Sequence, residues 1–216
     1  MALLTSTTLE FTGRTDARGG VTAFAFTPAE PSSHHAGHHA FLTLRSGGTK
    51  PFSLASAPGD PDVLIGTRLG SGSRFKRALA GLSPGDRVRL RRPLQRSPLA
   101  GAADEVVLIA QGVGVTPHRA LLRHLAVTGD RRRVTLVHVG RDGHPFRHDT
   151  EELAHAAAYP ADRAAFRAEL ARVTADLPAA AYHVSGSPDF VRETTAALAG
   201  AGIERGRIRT EALRGY

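Results

Sequence analysis

The chain of 216 residues contains no cysteine and no tryptophan, one methionine and only two lysines. Without cysteine there is no disulfide, no thiolate zinc site and no cysteine-ligated iron–sulfur cluster within this chain. Aromatic residues make up 6%, and none is interleaved with basic residues as a base-stacking groove would require. The longest aliphatic run is far too short to span a bilayer. The opening MALLTSTTLEFTGRTDARGG lacks the charged-then-apolar order of a signal peptide. The expectation is a cytoplasmic protein without membrane insertion.

Hydrophobic residues at 41% suit a globular fold, and the length suits one large domain or two small ones. The net charge is +8 and the pI about 11.0, compatible with nucleic acid, an acidic partner or anionic ligands. Of 28 basic residues only Lys50 and Lys76 are lysine. Alanine is also abundant, so a compositional bias accounts for part of the charge. The one dense run, Arg131 to Arg133, falls between a helix and a strand and reads as a solvated turn. No nucleic-acid partner is expected.

Periodicity divides the chain. From Leu3 to Arg91 short strands are predicted at 3–11, 21–27, 40–45, 51–55, 62–68 and 86–91, separated by glycine, proline and aspartate turns. One short helix starts at Ser73, with Phe75, Ala78, Leu79 and Leu82 on a single face. Six strands and a helix suggest a small antiparallel barrel. From Asp104 strands and helices alternate, which implies a parallel sheet covered on both faces. Strands are expected at 106–110, 134–139, 181–185 and 207–211, and helices at 117–127, 149–158, 162–177 and 188–201. The segment 92–103 is the expected linker, and the domains are placed at 1–98 and 99–216. The histidine-rich HHAGHH, His34 to His39, holds no carboxylate and reads as a loop entering the third strand.

Four segments could carry chemistry. In VVLIAQGVGVTP, Val106 to Pro117, an apolar strand turns through Gly112 and Gly114 toward Thr116, a good N-cap, and Pro117, suited to a first helical position. The segment reads equally as a phosphate cradle at a helix start or as an ordinary strand-to-helix turn. KPFSLASAP sets Lys50 and Ser53 beside Phe52, which is also what an amphipathic strand with outward polar residues would show. GTRLGSGSRF offers glycines, hydroxyls and two arginines before a helix, and alternatively reads as a capped surface helix. YHVSGSPDFV repeats the strand–glycine–helix arrangement at the same carboxyl edge of the sheet, where open α/β sheets bind ligands.

Together these pieces, in this order and over nearly the whole chain, resemble the ferredoxin–NADP reductase superfamily. KPFSLAS is similar to its R-x-Y-S-x-x-S flavin motif, and GSGSRFKRAL to its flavin-pyrophosphate loop and helix. QGVGVTP is similar to its G-G-x-G-x-T-P pyridine-nucleotide turn, VSGSPDFV to C-G-x-P-x-M-V, and EALRGY to its closing E-x-F-x-G-Y. HHAFLTL after Gly37 resembles the family's G-Q-x strand. The resemblance implies a six-stranded antiparallel flavin-binding barrel followed by a parallel-sheet, Rossmann-like NAD(P)H domain.

It also implies roles for residues. Lys50, Phe52, Ser53 and Leu54 would hold the flavin, together with Thr67, Arg68, Gly70, Ser71, Gly72 and Ser73. Gly112, Gly114, Thr116, Pro117, Gly186, Pro188 and Asp189 would hold the nicotinamide nucleotide. Arg141 would meet a 2′-phosphate, helped by Arg147, and Tyr216 would cover the flavin ring. The catalytic residues would be Ser53, near flavin N5, and Ser185 with Glu211, which position the nicotinamide. The implied activity is a flavin-dependent NAD(P)H oxidoreductase: hydride passes from NADPH or NADH to FAD, with FMN as the other option. Electrons then go to an acidic ferredoxin or flavodoxin, or to a small acceptor.

The chain departs from the family pattern at several positions. Lys50 replaces arginine and loses the bidentate fork. Phe52 lacks the tyrosine hydroxyl, Gln111 replaces the first glycine of the turn, and Ser185 replaces cysteine. Leu213 replaces an aromatic, and Gln95 stands where glycine is frequent. These changes leave an alternative, a non-catalytic flavin-binding or assembly module derived from the same fold.

Overall fold

Alternation of apolar and polar residues builds the first half. A computed structural model describes residues 4–29, 35–93, 99 and 103–213. Six strands form one antiparallel sheet: β1 (Leu4–Asp16), β2 (Thr22–Pro28), β3 (His39–Leu44), β4 (Gly48–Ser53), β5 (Val63–Thr67) and β6 (Arg87–Pro93). Their order is β4-β3-β6-β1-β2-β5, and Leu54, just beyond β4, bridges Ile65 of β5, so the sheet curls round to close a barrel. β1 is far longer than its predicted span. It is shared by two partners, β6 along its first half and β2 along its second, with a register shift between Phe11 and Gly13 where it bends from one to the other.

The barrel interior holds Leu9, Phe11, Phe24, Phe26, Leu42, Leu54, Ile65 and Leu90. Helix α1 (Arg74–Ala80) plugs one end with Phe75 and Leu79, and the Ser73 hydroxyl caps it by accepting from the Lys76 N–H.

The second half is a five-stranded parallel sheet: β7 (Glu105–Gln111), β8 (Arg133–Val139), β9 (Ala156–Ala158), β10 (Ala181–Gly186) and β11 (Ile208–Ala212), ordered β11-β10-β7-β8-β9. Successive residues of β7 serve opposite cores. Val106 and Leu108 pack under α2 (Val115–Thr128), while Val107 and Ile109 pack under α4 (Arg163–Asp176) and α5 (Pro188–Gly200). That two-sided burial is why the strand reads as an unbroken apolar run. No helix among the described residues is long and apolar enough to cross a membrane.

Two expectations need correction. The helix expected at 149–158 is α3 (Arg147–Leu153), after which Ala156–Ala158 pairs with Thr135–Val137 as an edge strand. Alanine favours helix, but Pro160 lies close behind and the open edge of β8 offers a ladder, so tertiary pairing overrides propensity. Thr116 and Pro117 do not start their helix. Gly112–Gly114 forms a 3₁₀ turn that runs straight into α2 at Val115, and the Thr116 hydroxyl donates back to the Val113 carbonyl at 3.0 Å. By contrast Ser187 caps α5 with Pro188 at its first position.

Candidate functional site

Two cavities open where barrel and sheet meet, and Val113 of the glycine turn borders both. The first, of about 670 Å³, takes one wall from the barrel: Lys50, Phe52 and Ser53 at the end of β4, Thr67 at the end of β5, and Ser71, Ser73 and Lys76 around α1. Thr116 of α2 and Glu211 of β11 close it from the other domain. Residues 53, 116 and 211, far apart in sequence, thus share one space. The second cavity, of about 920 Å³, lies over the carboxyl ends of β7, β8 and β10 and is lined by Gly112, Arg141 and Asp189 with Arg68, Arg163 and Arg167.

Ser53 and Glu211 join the domains directly, the Ser53 hydroxyl donating to a Glu211 carboxylate oxygen at 2.5 Å. Desolvation pushes the Glu211 carboxyl up to about 7, against the opposing pull of the Ser53 hydrogen bond. The pair therefore holds or releases a proton near neutral pH at the boundary of the cavity.

Lys76 is only 5% exposed. Its ammonium donates to the Thr67 hydroxyl and stands 5.4 Å from the Phe52 ring centre. Desolvation pushes it down to about 8. Phe52 in turn leans on Phe75, ring centres 5.5 Å apart.

Other expected residues lie elsewhere. Arg68, grouped by sequence with the flavin loop, faces the second cavity and pairs with Asp142 at 3.2 Å. Leu54 is fully buried in the barrel core. Arg147 pairs with Glu151 and stacks over Tyr159, 4.6 Å from its ring centre. Gly70, Gly72, Gly114, Pro117, Gly186 and Pro188 line neither cavity. Ser185 is wholly buried beneath the glycine turn, and its hydroxyl has no hydrogen-bond partner among the described residues. Tyr216, Gln95 and His34 lie outside the described residues.

Sequence reasoning missed several contributors. Gln111 accepts a hydrogen bond from the Ser187 hydroxyl at 2.8 Å and so latches the two strand–helix turns together where the family pattern has glycine. Arg123 grips Asp60 in a two-pronged contact at 2.8 and 2.7 Å, and Arg119 donates to the Ala55 carbonyl at 2.6 Å while pairing with Asp149. Gly66 of β5 lets Thr116 and Phe146 press against the barrel, since a Cβ there would meet the Thr116 methyl at 2.9 Å. The contacts of Arg123 with Asp60, Arg119 with Ala55, and Gly66 with Thr116 and Phe146 cross between the domains and hold them in one relative position.

Behind the glycine turn lies a buried histidine set. His118 and His183 share a 3.0 Å hydrogen bond, and His138 bonds the Gly112 carbonyl at 2.9 Å. Desolvation holds His118 well below its ordinary value, His183 at about 4 and His138 at about 3. The unfolded chain takes up these protons below about pH 6.5 while the folded chain refuses them. Stability from this source is full above pH 6.5 and falls as pH drops, by about 3 kcal/mol for His183 alone by pH 4. Circular dichroism across pH 7 to 4 should show acid unfolding, and His118→Gln should shift its midpoint. A flat signal to pH 4 would contradict the assignment.

The donor set of the first cavity fits a phosphorylated flavin: an aromatic face, the hydroxyls of Thr67, Ser71 and Ser73 on the barrel wall, and a buried amine that no carboxylate neutralises among the described residues. Comparison with known proteins points the same way. No protein-family model matches the chain. A flavohemoprotein of Deinococcus radiodurans is 33% identical over 109 residues, covering 49% of this chain and 27% of the relative, so the chain spans about a quarter of that protein's length. The flavohem-like FAD/NAD binding domain of nitric oxide dioxygenase from Vibrio cholerae superimposes with a TM-score of 0.75 at 21% identity, covering 96% of this chain and 98% of that one. A ferredoxin–NADP+ reductase from Plasmodium falciparum reaches 0.79 at 12% identity, covering 99% of both chains. The chain therefore has the two-domain fold of the ferredoxin–NADP reductase-like FAD/NAD-binding domains, with one cavity on the barrel side of their junction and one over the sheet.

Proposed function

We propose that the chain is a flavin-dependent NAD(P)H oxidoreductase module, with FAD in the first cavity and the nicotinamide nucleotide in the second. The observation that carries this reading is the convergence of Ser53, Thr116 and Glu211 on one cavity adjoining the arginine-lined one. Phe52 offers a stacking face; Ser71, Ser73 and Thr67 offer hydroxyls; Lys50 and Lys76 offer positive charge. A flavin held by these residues would supply two-electron chemistry with the nicotinamide and onward transfer to an acceptor. Ser53 and Glu211 hold an exchangeable proton beside that chemistry, and the packed junction of Gly66, Thr116 and Phe146 keeps the two sites in register.

NADPH is the preferred nucleotide in this reading. Arg163 is paired with Glu193 and Arg68 with Asp142, whereas Arg141 and Arg167 carry no ion pair among the described residues and supply free charge for a 2′-phosphate. Replacing both by alanine should raise KM for NADPH about 10–100-fold, the value of one or two charge-assisted contacts, and leave KM for NADH within about twofold. Ferricyanide reduction by the FAD-loaded protein measures both constants, and equal losses with the two nucleotides would remove the proposed preference. With a net charge of +8, the chain suits an acidic acceptor protein of the ferredoxin or flavodoxin type.

A further inference from the structure

Only two of the 28 basic residues are lysine, and both line the first cavity, which no arginine among the described residues lines. Elsewhere the chain uses arginine throughout, so the site selects the compact three-donor ammonium over the planar fork. Lys50 is exposed at the cavity mouth, whereas Lys76 is buried in the wall. Its recorded partners are the Thr67 hydroxyl and the Phe52 ring, both uncharged, and no carboxylate pairs with it among the described residues. One neutral acceptor leaves most of the donor capacity of a buried ammonium unused, an arrangement that is unfavourable until an anion completes it. Ser71 and Ser73 stand on the same wall, and hydroxyls beside an ammonium are the donor set of a phosphate site.

We propose that Lys76 is a binding residue for the flavin phosphate, and that it makes the cavity select phosphorylated flavins over riboflavin. The proposal rests on the flavin reading of the cavity. Its rival within the same chemistry is an ammonium that meets the electron-rich edge of the flavin ring rather than the phosphate, and riboflavin, which has the ring without the phosphate, separates the two. Among the described residues, Glu211 and His39 are the other titratable groups on this cavity besides Lys50. Binding is therefore measured at pH 7, below the point to which burial pushes Lys76, about 8.

The test is flavin-fluorescence titration of the wild-type chain and Lys76→Met with FMN, FAD and riboflavin. Loss of one charge-assisted contact should weaken FMN and FAD by about 10–100-fold and leave riboflavin within about twofold. A second measurement needs no variant. Reductive methylation followed by mass spectrometry resolves two lysines cleanly, and FMN should protect Lys76 where riboflavin does not. Three results overturn the proposal: unchanged FMN affinity in Lys76→Met, an equal loss for riboflavin, or a Lys76 that is unreactive or unprotected by FMN in the wild-type chain. If none of the three flavins binds the wild-type chain, the flavin reading itself falls and the proposal with it; binding that ignores Lys76 removes the proposal alone.

Discussion

Gly114→Ala is expected to lower the thermal midpoint by about 10 °C, from a cost of roughly 3–5 kcal/mol in a chain of this size. A Cβ at position 114 would lie 2.5 Å from the Ser185 carbonyl oxygen, 2.8 Å from its carbon and 3.0 Å from the Gly186 Cα. All three are backbone atoms of β10, which is held on one side by β7 and on the other by β11. Nothing there can rotate away as a side chain would, so either β10 shifts or the 3₁₀ turn lifts off the sheet. Lifting the turn displaces Val113, the residue common to both cavities, so affinity for both proposed ligands falls with stability. Gly200→Ala is the control, because a Cβ there meets nothing within 4 Å. Differential scanning fluorimetry on the two variants separates a local clash from a general intolerance of substitution; equal midpoints would contradict the packing.

Glu211→Gln is expected to change the pH dependence of stability, and with the opposite sign to the histidines. The folded chain holds the Glu211 proton up to about pH 7, whereas the unfolded carboxyl releases it near 4.5. Ionising the buried carboxyl therefore weakens the fold progressively from pH 4.5 to 7, by up to about 3 kcal/mol, after which the loss is constant. Glutamine keeps the hydrogen bond from Ser53 and cannot ionise, so the variant gains on wild type across that window. Denaturant unfolding at pH 5 and pH 8 reads this directly: the variant-minus-wild-type difference should be larger at pH 8 by up to about 3 kcal/mol. A difference independent of pH would mean that Glu211 ionises normally. If the proton at this site serves the proposed reaction, the same variant also loses about 10²-fold in turnover, the usual worth of one acid–base group.

Much of this architecture is legible in local sequence. The two-sided apolar run of Val106–Ala110, the glycines after it and the Ser187-Pro188 helix start are each fixed by neighbours within a few residues. The motif segments around Lys50–Ser53 and Glu211 end up on one cavity. What could not be read locally is the meeting of segments far apart in the chain. Asp60 looks like an ordinary turn residue until Arg123, 63 positions on, closes on it. Gln111 looks like a defect in a glycine turn until Ser187 is seen to bond it. Arg163 and Arg167 look like the solvated face of a helix, yet they line the second cavity. Lys76 follows the helical period of α1 only as a polar residue next to Phe75, and nothing in that period announces its burial. A signal was nevertheless present, since it is one of two lysines in an arginine-rich chain. Arg147 shows the converse: the resemblance implied a helper to Arg141, but Glu151 one turn along and the Tyr159 ring occupy it.

The central claim is that the two cavities bring a flavin and a nicotinamide together for electron transfer. An anaerobic absorbance spectrum of the FAD-loaded chain, titrated separately with NADPH and with NADH, reads that contact without any acceptor. Bleaching of the visible band of the oxidised flavin by one equivalent of NADPH, and less readily by NADH, is the predicted result. A chain that takes up FAD and keeps its yellow colour with either nucleotide would contradict it, and would leave a flavin-binding module with no reductase chemistry.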